Sequence, residues 1–288
     1  MIRLVAFDLD GVIYRGDVLL PGVKQALADI QRRGLDFCYV SNNATAHRRT
    51  VAEKLAAMGL PASKDRVFTS GFATASWLRA RLAAGAPIMV VGENGLIEEL
   101  REAGFSAYYA GDAAASAPDL GVLAIYLGEV PRLPPAAVVV AMDRNFNFSV
   151  MVAAHKAILE GALFVATNRD ATYPMPQGLL PGGGTIVAAI ATAVNKEPIL
   201  IGKPSLALTE ILAQETGVPA VETLFVGDRI DTDIVMGREA GMVTALVLTG
   251  VTSPGDPQSS LAHHVLHDLT ELPSLLDRLD YGTITGSS

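Results

Sequence analysis

Short apolar runs alternate with segments of helical periodicity along most of this chain, and that alternation restricts the fold more than any other feature. Val5 to Asp8, Leu35 to Val40, Val67 to Ser70, Pro87 to Gly92, Leu120 to Leu127, Ala136 to Ala141, Leu163 to Thr167, Ile199 to Ile201, Thr223 to Val226 and Val243 to Leu248 all read as strands, several of them closed by Asp, Gly, Ser or Asn. Between them lie helical patterns. One, through Val23, Leu27 and Ile30, is opened by Pro21 and stopped by Gly34. Another, through Val51, Leu55 and Met58, is stopped by Gly59. Further helices are expected around Trp77 and Leu78 and over 95–104, 149–159, 186–194 and 206–216. Strand and helix in regular alternation mean an α/β protein with a mostly parallel sheet.

At 288 residues, 50% of them hydrophobic, the chain is longer than one core usually supports, so two domains are expected. Segments rich in Gly and Pro, Ala84-Gly85-Ala86-Pro87 and Tyr173 to Gly178, read as hinges. They divide the chain into a core part over 1–82, a smaller α/β unit over 83–178, and a second core part over 179–288. The net charge is −8 and no block of Lys or Arg stands out, which argues against nucleic acid or an anionic membrane as partner. A single cysteine, Cys38, forms neither an internal disulfide nor a zinc cluster and reads as a buried, inert thiol. Met1-Ile2-Arg3 lacks a signal-peptide pattern and no apolar run reaches transmembrane length, so the expected compartment is the cytoplasm.

In open α/β sheets ligands bind beyond the carboxyl ends of the strands. Four polar groups occupy such positions here: Asp8 with Asp10, Ser41-Asn42-Asn43, Lys203, and Asp228 with Asp233. Side chains two apart on an extended segment share a side, so Asp8 and Asp10 repel unless a cation lies near them, and hard oxygen ligands suit Mg²⁺. Gly11 follows, where the backbone must turn. Ser41-Asn42-Asn43 reads as a helix cap and, equally, as an anion site. Gly202-Lys203-Pro204 lacks the glycine-rich approach of a Walker motif and has Pro where that motif needs Ser or Thr. Lys203 is therefore either an exposed loop lysine or a cation for a phosphate oxygen or the acidic cluster. Asp228 follows its strand as Asp8 does and is the expected third metal-binding carboxylate. Asp233, about a turn later, orders a metal-bound water or holds Lys203, and Asp231 faces solvent or caps the helix. Gly182-Gly183-Gly184 reads as a tight chain return, His263-His264 as a surface pair, and 279–288 as a frayed tail.

Asp8-Leu9-Asp10-Gly11-Val12, Ser41-Asn42-Asn43, Lys203 and Gly227-Asp228 with Thr232-Asp233 resemble the four ordered motifs of the haloacid dehalogenase (HAD) superfamily. The fragments Asp143 to Phe148, Ala166 to Asp170, Pro181 to Gly184 and Ile201 to Pro204 are similar to its branch of 4-nitrophenylphosphatases, phosphoglycolate and pyridoxal phosphatases and the N-acetylglucosamine-operon phosphatase. The resemblance implies a Rossmann-like, doubly wound parallel sheet with an inserted α/β cap, and a Mg²⁺-dependent phosphatase of small phosphorylated metabolites. It implies Asp8 as the nucleophile that becomes an aspartyl-phosphate, and Asp10 as general acid and then base. Asp8, the carbonyl of Asp10 and Asp228 would hold Mg²⁺, Ser41, Asn42 and Asn43 the phosphoryl oxygens, and Lys203 the developing charge. An acid at position 10 fits a phosphoester, whose leaving group needs a proton, better than a halide. Asn145 aligns with the branch's substrate-specificity loop, where pyridoxal phosphatases carry a histidine. That departure argues against pyridoxal phosphate as the dedicated substrate. Pairing of two copies through the caps is a further implication. A phosphotransferase or phosphomutase using the same intermediate, and a non-catalytic phosphometabolite-binding protein, are the alternative readings.

Overall fold

The computed structural model describes residues 1–112, 134–175 and 178–282, so the strand expected over 120–127 and the last residues of the tail lie outside the described residues. The chain divides into two compact units. One comprises Met1–Ser41, Val51–Phe68 and the chain from Lys203 onward; the other comprises Asn42–Thr50 and Thr69–Gly202.

The first unit is built on a six-stranded sheet. Across it run His264–Leu266, Val243–Val247, Thr223–Gly227, Leu4–Asp8, Asp36–Ser41 and Val67–Thr69. Leu4–Asp8 lies between two parallel neighbours, with Phe7 opposite Val226 on one side and Asp8 opposite Val40 on the other. A strand covered on both faces is apolar without alternation, which is why Leu4 to Phe7 form an unbroken apolar run and are all buried. Helix Val23–Arg32 buries Val23, Ala26, Leu27 and Ile30 at helical spacing and ends ahead of Gly34, whose φ of +70° suits a residue without a Cβ. Arg33 ties this helix to the C-terminal helix Leu272–Gly282, contacting Asp29 at 2.6 Å, Asp277 at 2.7 Å and Asp280 at 3.4 Å. The helix reaches into the segment expected to fray, because its buried Leu272, Leu275 and Leu276 anchor it. Cys38 is buried, and that burial pushes its thiol pKa up.

The second unit carries a five-stranded parallel sheet in the order Ile199–Leu200, Leu163–Ala166, Ala137–Val140, Pro87–Val91 and Ser106–Tyr109. Its core joins Val138, Val140 and Phe164 to Ile158 of helix Phe148–Leu159 and to Ile186 and Ile190 of helix Gly183–Val194. The boundary expected at residue 179 is therefore misplaced: this last helix and strand Ile199–Leu200 complete the second sheet and its core. Of the hinge expected over 173–178, residues 173–175 and 178 belong instead to an antiparallel pair, Thr172–Met175 with Gly178–Pro181, and 176–177 lie outside the described residues. At Gly182 and Gly184 the backbone passes close to other backbone, since a Cβ on either would meet a carbonyl oxygen at 2.2 or 2.4 Å. Buried His47 places its Nε2 3.1 Å from Glu102, and the Arg48 backbone N–H donates to Glu99 at 2.8 Å. Among the described residues no helix is long and apolar enough to cross a membrane.

Candidate active site

The carboxyl ends of the two central strands of the first unit bring the expected acids together. Asp8 closes Leu4–Asp8, and Asp228 follows Thr223–Gly227 directly. The chain then makes a π turn over Ile230–Ile234, seen in the Ile234 N–H donating to the Arg229 carbonyl at 3.2 Å, which carries Asp233 back over the strand end. Gly227 makes this possible, because a Cβ there would stand 2.2 Å from the Cβ of Asp233. Carboxylate oxygens of Asp8, Asp228 and Asp233 lie within 4.8 Å of one another, and all three residues are buried.

Lys203 is not the exposed loop lysine: it is 4% exposed and inserted among these acids. Its ammonium pairs with Asp8 Oδ1 and lies 2.7 Å from Asp233 Oδ1. Burial alone would lower the Lys203 pKa, but Asp233 and Asp8 outweigh it and hold the group above the ordinary lysine value. Burial raises the pKa of Asp8, with Lys203 opposing and the other two acids adding to the rise. Burial, with Asp233 beside it, pushes Asp228 up to about 7 against the Val251 N–H and the charges of Lys203 and Arg229.

The two oxygens of Asp228 differ. Oδ2 accepts the Val251 N–H at 2.6 Å, whereas Oδ1 is buried and has no hydrogen-bond partner among the described residues. Asp233 Oδ2 accepts the N–H groups of Asp228 and Arg229, both at 3.1 Å, while Oδ1, also without a hydrogen-bond partner among the described residues, lies 2.7 Å from the Lys203 ammonium. Two of the three clustered carboxylates, Asp8 and Asp233, pair with one ammonium, and the third, Asp228, keeps a buried hard oxygen without a hydrogen-bond partner among the described residues. These residues fit a divalent cation held by oxygen donors. Of the two expectations for Asp233, the contact with Lys203 is the one the geometry contains.

Asp10 is exposed, yet the surrounding protein raises its pKa, with Lys54 and then Lys203 opposing. The turn after it is closed by the Gly11 N–H donating to the Tyr14 carbonyl at 2.9 Å, and leads into an unforeseen short pair, Tyr14–Arg15 with Val18–Leu19. Ser41 is buried at the end of Asp36–Ser41, next to the strand that bears Asp8. Asn42 and Asn43 belong to the second unit. The helix beyond them starts only at Arg48, so the three residues are not its N-cap. Asn42 donates to both oxygens of Asp170 at 3.2 and 3.3 Å, and its carbonyl accepts Ser70 Oγ at 2.6 Å and Asn168 Nδ2 at 2.8 Å. Asn43 Oδ1 accepts the backbone N–H of Thr45 at 2.8 Å. Asn145, also in the second unit, is exposed, and its N–H donates to Asp143 Oδ1 at 2.8 Å. Its neighbour Arg144 pairs with Glu93 at 2.8 Å. Asp231 is exposed and pairs with Arg229.

Sequence reading missed the loop Thr249-Gly250-Val251, which touches Asp228. Its signal was present: a small-residue turn directly after the apolar strand run Val243 to Leu248, as Gly11 follows Leu4–Asp8.

A buried lysine braced by carboxylates, at the carboxyl edge of a parallel sheet, defines an α/β enzyme with an acidic, cation-accepting centre. A family model described as haloacid dehalogenase-like hydrolase matches residues 5–106, and a HAD-hydrolase-like model matches residues 200–272. The chain is 38% identical to the glycerol-3-phosphate phosphatase of Gallus gallus over 252 residues, covering 86% of this chain and 80% of that one. Among solved structures it is similar to p-nitrophenyl phosphatase from Archaeoglobus fulgidus, with a TM-score of 0.82, 29% identity, and coverage of 95% of this chain and 98% of that one. A glycerol phosphate phosphatase from Mycobacterium tuberculosis in complex with magnesium gives a TM-score of 0.79 at 32% identity, covering 94% of this chain and 76% of that one. The chain belongs to the haloacid dehalogenase-like hydrolase family, and it is one of that family's phosphatases.

Proposed function

We propose that the chain is a Mg²⁺-dependent phosphomonoesterase of small phosphorylated metabolites that works through an aspartyl-phosphate on Asp8. The observation that carries this reading is the buried cluster of Asp8, Asp228 and Asp233 around Lys203, with Asp228 Oδ1 left unpartnered. The names of the relatives, which act on glycerol phosphate and p-nitrophenyl phosphate, support small esters as substrates.

Asp8 attacks phosphorus as the bond to the ester oxygen breaks, and Asp10 gives the departing alkoxide a proton. Asp10 then takes a proton from water, whose oxygen attacks phosphorus and releases Asp8 and inorganic phosphate. The exposed position of Asp10 suits a group that trades protons with an alcohol and with water. Lys203, kept protonated by two acids, offsets negative charge on the transferring group. Ser41 holds phosphoryl oxygens, together with the Asn42 and Asn43 that follow it. Asp8, the carbonyl of Asp10 and Asp228 would hold Mg²⁺, which when bound screens the approach of one anion to another and polarises the phosphoryl group.

The test is hydrolysis of 4-nitrophenyl phosphate with no acceptor alcohol present. Wild-type protein should release phosphate, lose activity in EDTA and recover it with Mg²⁺, and Asp8→Asn should be inactive though folded. Undiminished turnover by Asp8→Asn would remove the nucleophile. A panel of sugar phosphates, phosphoglycolate, nucleotides and pyridoxal phosphate then ranks the substrates.

A further inference from the structure

We propose that Thr249, Gly250 and Val251 form a clasp that presents Asp228 to the divalent cation through a single oxygen, and that this presentation favours Mg²⁺ over Ca²⁺. The inference rests on the proposed role of Asp228 as a metal ligand and adds the residues that set how it binds.

Three observations converge on Asp228. The Val251 N–H occupies Oδ2 at 2.6 Å, and the Thr252 N–H donates to the Asp228 carbonyl at 3.1 Å, so side chain and backbone are held by one loop. Gly250 lies against the carboxylate so closely that a Cβ would stand 1.8 Å from Oδ2. Gly11 closes the other side: at φ +88° its Cβ would stand 2.6 Å from Oδ2 and 2.9 Å from the Gly250 Cα. Two bare backbones therefore wall in one oxygen, and Oδ1 is the one left for a ligand.

Thr249 latches this loop in place. Its hydroxyl donates to the Gly11 carbonyl at 2.6 Å, and the Arg15 guanidinium donates to the Thr249 carbonyl at 2.6 Å. The loop after Val243–Val247 is thus fastened to the turn that follows Asp10, and both flank the same carboxylate. A carboxylate that offers one oxygen suits Mg²⁺, which demands near-octahedral geometry. Ca²⁺ readily accepts a bidentate carboxylate and a looser shell. Ligands positioned by such outer partners typically lose about 10–100-fold in metal affinity when a partner is removed. Thr249 and Arg15 are positioning residues: neither needs to touch substrate.

The test measures Mg²⁺ and Ca²⁺ binding to substrate-free protein by competition against Mn²⁺, followed by electron paramagnetic resonance. Thr249→Val should weaken Mg²⁺ by about tenfold or more, weaken Ca²⁺ less, and so lower the Mg²⁺ to Ca²⁺ preference, while Thr249→Ser should bind as wild type. Arg15→Gln, a change at an exposed side chain, should move both affinities in the same directions by a smaller factor, and it decides the matter should Thr249→Val fail to fold. The clasp is overturned if Asp228→Asn loses metal while Thr249→Val and Arg15→Gln keep wild-type Mg²⁺ affinity, or if Mg²⁺ and Ca²⁺ weaken equally. Wild-type affinity in Asp228→Asn overturns the ligand role itself and the clasp with it.

Discussion

Asp233 Oδ1 lies 2.7 Å from the Lys203 ammonium, while Asp233 Oδ2 accepts two backbone N–H groups from Asp228 and Arg229. One side chain thereby joins the lysine to the start of the loop that bears Asp228. Replacing Asp233 with Asn turns an ammonium–carboxylate contact into an ammonium facing an amide, and it removes the charge that helps keep Lys203 protonated. We expect Asp233→Asn to lower kcat for 4-nitrophenyl phosphate by about 10–100-fold while the protein remains folded. Steady-state kinetics beside circular dichroism checks this, and an unchanged kcat would mean that Lys203 needs no such support.

Arg33 ties helix Val23–Arg32 to the last helix. It bonds to Asp29, which is 4% exposed, and reaches across to Asp277 and Asp280 on the last helix. Arg33→Ala leaves Asp29 with the more exposed Arg32 and unties the two helices. The expected cost is about 1–3 kcal/mol, read as a lower urea midpoint at unchanged slope, with kcat unaltered at 25 °C.

Stability should fall on mild acidification through His263. Its Nδ1 accepts the Thr244 N–H at 3.1 Å, which requires that nitrogen to be unprotonated, and Thr244 is buried. Burial and then Arg238 lower the pKa of His263. The unfolded chain, with an ordinary value of about 6.5, takes up the proton first. The contribution is therefore complete above about pH 6.5 and is lost as pH drops through the window beneath it. Asp228, raised to about 7, acts in the opposite sense, so the comparison must be between variants. The urea midpoint of His263→Ala should decline less between pH 7.5 and 5.5 than that of wild type; parallel declines would exclude His263 as the source.

The features legible in the sequence were those written in local pattern. Strands buried on both faces showed as unbroken apolar runs, and Asp8, Lys203 and Asp228 showed because charge seldom follows such a run without a reason. What escaped depends on contacts between distant residues. Helix Gly183–Val194 has the same apolar periodicity whichever sheet it covers, so pattern could not assign it to the second unit. The pairing of Thr172–Met175 with Gly178–Pro181 was hidden by Pro and Gly, which also mark hinges. Ser41-Asn42-Asn43 has the composition of a helix cap, but the helix waits until Arg48. Gly250 is spatially bound to Asp228, 22 residues earlier, and no local rule reports that contact.

Because Leu4–Asp8 pairs with Asp36–Ser41 on one side and Thr223–Gly227 on the other, its two neighbours are synthesised far apart in time. Lys203 follows Asp8 by 195 residues, which at ordinary translation rates of about 5–20 residues per second is about 10–40 s. Throughout that interval the terminal aspartate lacks its lysine, and the apolar first strand keeps at least one unpaired edge until Thr223–Gly227 is made. The nascent chain must shield that edge from other chains until its own later residues arrive. A ribosome that stalls before residue 203 would release an aggregation-prone fragment with no assembled catalytic centre.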